Sequence, residues 1–178
     1  PDWAESHCKV PHIVSLANTS SVKVGITRET QLPTRWIDQG ATQAKPIARV
    51  QTRYFSGLLE VLIAREVGDR TAWQTMLKGN GADQDLEHIR QQLMMNCAQG
   101  ITDLQLQHGE AAFELLEDAP ETRIAYPVLS WPEKVKAHNF DKQAVVEGTL
   151  MGIKGQYLML DTGVLNTVSY THLRAHET

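Results

Sequence analysis

The feature that most constrains this chain is the run HIVSLANTSSVKVGIT at residues 12–27. Two stretches rich in β-branched and aliphatic residues flank four small polar ones, Asn18 to Ser21. Stiff branched side chains favour extended backbone, while Asn and Ser supply local hydrogen bonds for a turn. The spacing predicts an antiparallel hairpin, which commits the N-terminal part of the chain to a sheet. A further β-prone run, IARVQTRYF at 47–55, is predicted as a third strand. Between them Thr34, after Pro33, is a candidate N-cap for the short helix TRWIDQ, and Gly40 is its expected stop.

From 56 to 118 the apolar period changes to that of helices. Ser56 is the expected cap of a helix carrying Leu58, Leu59, Leu62, Ile63 and Val67. Trp73, Met76 and Leu77 form a second set ended by Gly79, and Asp83 is the expected cap of a third with Leu86, Ile89, Leu93 and Met94. EAAFELLE, before Pro120, is read as a short fourth helix. Beyond 122 the pattern returns to strands in RIAYPV, AVVEGTLMGI and QYLMLDTGVL, with Lys154-Gly155 as a turn between the last two. The expected fold class is therefore α/β of the α+β kind: a strand–strand–helix core, a helical middle and a small C-terminal β appendage. The expected divisions are a main domain at 9–118 and an appendage at 119–168, with a remnant segment at 1–8 and a non-native tail at 169–178. Those last two follow from a start at Pro1 without methionine and from VSYTHLRAHET, which abandons the preceding alternation.

No apolar run approaches the roughly 20 residues that cross a bilayer, so no membrane partner is expected. Two cysteines, Cys8 and Cys97, are too few for a disulfide framework and favour a cytoplasmic setting. The net charge of −4 argues against a general basic coat, but residues 9–58 carry seven Lys and Arg against two Asp and Glu. That local field suits phosphate, and residues 61–121, with four basic against eleven acidic, form an acidic surface. No phosphate-binding glycine loop, dinucleotide fingerprint or nucleophile elbow is present.

At 100° per residue, a helix from Ser56 places Glu60 on the side of Ile63, Ala64 and Val67, away from Arg65, Glu66 and Asp69. A carboxylate there is costly unless it is paired or bound to metal. Either an ion pair with Arg35 or Arg28, or a Mg²⁺ or Mn²⁺ ion sharing a substrate phosphate, would satisfy it, and a partly exposed Glu60 would need neither. Lys23, Arg28, Arg35, Arg49 and Arg53 are candidate phosphate contacts; Tyr54 is a candidate stacking platform for bases, and Trp36 is either another or the anchor of its short helix to the core. His12, at the start of a strand, is either a satisfied structural histidine or a base.

These residues resemble the GIY-YIG nuclease superfamily. Its domains open with strands bearing G-I-Y and Y-I-G, followed by a helix with an essential arginine and a later helix with a metal-binding glutamate. Here H-I-V-S stands in the first motif and Lys23-Val24-Gly25 in the second. The resemblance implies Gly25 as the motif glycine, Arg35 as the helix arginine with Arg28 as its rival, and Glu60 as the metal carboxylate. Ser15 and Lys23 stand where the superfamily has the tyrosines that help activate water, so His12 or Lys23 would take that part. The chain also resembles a bacterial family of uncharacterised proteins marked by KVGITR, PTRWIDQGA and GIKGQYL. Its members carry a cysteine-rich segment before the first strand, which implies Cys8 as the last ligand of a truncated Zn²⁺ site. The function expected is nucleic-acid binding, joined by metal-dependent phosphodiester cleavage if Glu60 holds the ion and Arg35 the phosphate, or else a non-catalytic module in which Arg35 and Glu60 form a structural pair.

Overall fold

The structure, a computed structural model, describes residues 9–67 and 73–170. Cys8, the segment at 1–8 and all but the first two residues of the tail at 169–178 lie outside the described residues. The expected hairpin forms: β1 (His12–Asn18) pairs antiparallel with β2 (Val22–Arg28), and Asn18 faces Val22 at the turn. Ser20 holds the turn at φ 82°, and its N–H donates to the Asn18 side-chain oxygen at 3.2 Å. The third strand, β3 (Gln43–Val50), lies on the other side of β1, and β4 (Phe113–Leu115) and β5 (Thr122–Arg123) share its outer edge. The sheet order is β2-β1-β3-β4, all antiparallel. Pro46 sits where the β1–β3 register shifts, the kind of place where a residue without an N–H disturbs a ladder least.

Alternation gives this sheet two working faces. Val14, Leu16, Ala48 and Val50 face helix α2 (Arg53–Ala64), whose Leu59 and Ile63 are fully buried against them. Ala17 and Ala44 face the opposite way and are covered by the buried Trp36 of helix α1 (Thr34–Asp38). Helix α3 (Trp73–Met76) is a single turn, and α4 (Leu86–Asn96) and α5 (Ala98–His108) add Leu86, Leu93 and Ile101 to the α2 side. A separate antiparallel sheet, β6 (Leu150–Lys154), β7 (Tyr157–Leu160) and β8 (Gly163–Asn166), packs Met159 and Val164 against Met76 and Leu77. The expected α+β architecture with a small C-terminal sheet is thus the observed one.

Several boundaries differ from the sequence reading. The third strand ends at Val50 rather than 55, because Thr52 caps α2 by accepting from the Phe55 N–H at 3.2 Å. Ser56 lies inside the helix, where its hydroxyl donates to the Arg53 carbonyl at 2.7 Å. Asp85, not Asp83, caps α4, accepting from the His88 N–H at 2.9 Å, while Asp83 pairs with Arg123. Pro33, not Thr34, precedes the first turn of α1. EAAFELLE is a 3₁₀ turn followed by β4, because Phe113 is buried in the core and its neighbours extend the ladder of β3. RIAYPV contributes only β5, and AVVEGTLMGI only its last residues.

Candidate binding cleft

A cleft of about 340 Å³ opens on the α1 face of the main sheet. Its walls come from four places in the chain: the end of the β1–β2 hairpin, α1, α3 and the β6–β7 turn. The hairpin contributes Thr19, Lys23 and Gly25, and α1 contributes Arg35, Asp38 and Gln39. Trp73 and Met76 line it from α3, and Gln156 and Tyr157 from the small sheet.

Local backbone chemistry explains why these segments meet. Gly40 ends α1 at φ 73°, and a side chain there would strike the Met76 sulfur. Gly155 turns β6 into β7 at φ 58°, and a Cβ on it would stand 2.7 Å from the Asp38 carbonyl oxygen and 3.0 Å from the Gly40 nitrogen. The two backbones therefore touch, which only glycine permits. Tyr126 fastens the same helix end: its hydroxyl donates to the carbonyls of Ile37 at 3.1 Å and Ala41 at 2.8 Å. Burial, with the Asp38 charge adding to it, raises this phenol above its ordinary range and keeps it a donor.

Lys154 holds the other wall. It is fully buried, and its ammonium donates to the carbonyls of Met76 at 3.0 Å and Gly79 at 2.9 Å. The rings of Trp131 and Tyr126 lie 5.2 Å and 5.7 Å from Nζ. Burial lowers its pKa to about 8. Sequence reasoning read Lys154-Gly155 only as a turn, which it is. The missed signal was a lysine set in the apolar strand LMGIK, a position that forces the ammonium to find partners indoors.

Two further properties bear on a ligand. The Trp73 and Tyr157 rings are parallel, with centroids 5.3 Å apart and planes within 3°. Thr19 is 5% exposed, and its hydroxyl has no hydrogen-bond partner among the described residues. Above Gly25 nothing lies within 4 Å of where a Cβ would be, so that stretch of β2 is open to close approach.

Of the residues singled out from sequence, the cleft gathers Lys23, Gly25 and Arg35. Glu60 sits half-buried on α2, across the sheet from α1, and forms no ion pair with Arg35 or with another described residue. The expected Arg35–Glu60 pair is therefore corrected by topology: the two helices cover opposite faces. His12 is 3% exposed on the α2 side, its Nδ1 hydrogen-bonded to the Val10 carbonyl at 2.7 Å. Burial lowers its pKa, and the nearby Arg53 and Arg28 lower it further against the pull of that carbonyl. Arg53 bonds to the Ser56 hydroxyl at 3.3 Å. Arg49 grips Glu29 through Nε and Nη2 at 3.1–3.2 Å, with Glu114 at 4.0 Å. Trp36, 6% exposed, packs in the core and presents no face to a base, whereas Tyr54 is exposed on α2 with its ring edge-on to His108.

A divalent ion at Glu60 would find one carboxylate, on the wrong face for a phosphate held at Arg35. Among the described residues no group of three or more His, Cys, Asp or Glu side chains is placed to hold a metal. Cys97 is buried in the α2-side core, where burial first and the Glu66 charge second raise its pKa. No helix among the described residues is long and apolar enough to cross a membrane.

Over residues 1–174 the chain matches the model of a family described as a protein of unknown function, DUF2797. No curated protein and no solved structure matches it.

Proposed function

We propose, from the premise that the chain belongs to the DUF2797 family, that it binds nucleic acid in the cleft on the α1 face. One observation carries the reading: Lys23 and Arg35 share this cleft with the parallel Trp73–Tyr157 pair. Cations suited to phosphate thus stand in one cavity with flat apolar rings suited to a base. Arg35 is exposed, so its planar fork reaches an incoming anion without unmaking the fold. The separation of Glu60 from Arg35 favours binding over phosphodiester cleavage, and the same separation deprives the structural-module reading of its Arg35–Glu60 pair.

Fluorescence anisotropy with a labelled single-stranded oligonucleotide tests this at about 50 and about 200 mM salt, across which phosphate contacts weaken sharply. Tighter binding at the lower salt is expected, with a loss of about tenfold or more, near 1.4 kcal/mol, in Arg35→Ala. No binding at either salt, or equal affinity in Arg35→Ala, contradicts the proposal. With added Mg²⁺ or Mn²⁺ the strand should stay intact, and cleavage that disappears in Glu60→Ala would restore the nuclease reading.

A further inference from the structure

We infer that the cleft receives one nucleotide unit, a base with its sugar and a phosphate, rather than the body of a strand; this rests on the binding reading above. The cavity of about 340 Å³ is near the lower end of the roughly 300–1,000 Å³ usual for small-ligand pockets. A polymer needs a track of cations leading away from such a cavity, and Arg28, Arg49 and Arg53, the other candidate phosphate contacts, do not extend one from it. Arg28 and Arg53 stand beside His12 on the α2 side of the sheet. Arg49 shares the α1 side but is held by Glu29. Trp36 is buried and offers no second platform.

The chemistry inside the cleft also selects a compact ligand of mixed polarity. Asp38 lies one helical turn beyond Arg35 and lines the same cavity. A carboxylate there repels a bare polyanion, yet it accepts from a sugar hydroxyl or a base amino group. The buried, unpartnered Thr19 hydroxyl in the hairpin wall adds a group that a ligand atom would satisfy. Gly25 leaves the strand open for the sugar–phosphate to approach. A nucleotide satisfies all of these at once: phosphate at Arg35 and Lys23, base on the Trp73–Tyr157 side, a donor on Asp38.

Such a unit is supplied either by a strand terminus or by a free nucleotide, and one competition experiment separates the sources. The full chain is titrated with a labelled linear single strand bearing a 5′-phosphate, with a closed circle of the same sequence, and with adenosine and cytidine monophosphate as competitors. Displacement of the linear strand by a mononucleotide is expected, with the circle bound about tenfold or more weaker and Arg35→Ala reducing both linear-strand and mononucleotide binding by a similar factor. That pattern assigns the terminus. Mononucleotide binding without strand binding assigns the free nucleotide and removes the strand reading alone. Equal affinity for circle and linear strand, with no displacement by mononucleotides, overturns the single-unit inference and leaves nucleic-acid binding standing. Binding of none of the probes, with circular dichroism showing a folded protein, overturns both.

Discussion

Replacing Lys154 by alanine is expected to destabilise the fold by about 3–5 kcal/mol, the range for emptying a large buried site. The loss adds a cavity between Trp131 and Tyr126 to two carbonyls, Met76 and Gly79, stripped of their donor. Lys154→Met should cost much less, because removing a desolvated charge offsets part of the orphaned-carbonyl penalty. The two variants therefore separate volume from charge. The pH dependence gives a second handle. Lys154 has a folded pKa of about 8 against an ordinary 10.5, so between those values the unfolded chain binds the proton more readily. Its contribution must rise with pH across that window. Tyr126, whose phenol is raised, acts in the opposite sense, but only above the ordinary value of 10. Urea unfolding at about pH 7.5 and about pH 9.5 should show wild-type stability gaining relative to Lys154→Met. Parallel pH responses of the two proteins, or a Lys154→Ala cost below about 1 kcal/mol, would defeat the assignment of Lys154 as a buried cation held by the Met76 and Gly79 carbonyls.

Trp36→Ala is expected to cost a similar about 3–5 kcal/mol, because the indole covers Ala17 and Ala44 on the α1 face of the sheet. Trp36→Phe keeps most of that area, so it should fold and bind the oligonucleotide with unchanged affinity. A folded Trp36→Phe protein that has lost binding would return Trp36 to the interface. Chemical denaturation measures the first effect, and anisotropy on the folded variants measures the second.

Local features were legible in the sequence because their causes are local. The β1–β2 turn follows from Asn18 and Ser20, the end of α1 from Gly40, and the β6–β7 turn from Gly155, each a backbone conformation tied to residue type. Thr52 and Ser56 are both good caps, and choosing between them required knowing where β3 leaves the sheet. EAAFELLE has helical spacing, but Phe113 gains more by extending the ladder beside Val50 than by a short isolated helix. The candidate site divided along the same line. Lys23, Gly25 and Arg35 were found from their motifs, and the segments VKVGITR, TRWIDQG and IKGQY do meet at one cleft. Periodicity placed Glu60 toward a core but was silent on which face of the sheet that core covers. Asp38, Thr19, Trp73 and Tyr157 entered only with the tertiary structure. A stacked pair drawn from α3 and β7 leaves no trace in either segment alone.

The central claim is that ligand binds on the α1 face, and amide chemical-shift mapping tests it directly. On titration with adenosine monophosphate the shifts should concentrate at Thr19, Lys23, Gly25, Arg35, Asp38, Gln39, Gln156 and Tyr157, which line the cleft. Shifts centred instead on His12, Arg28, Arg53 and Glu60, with the cleft unmoved, would place the site on the α2 face and contradict the account.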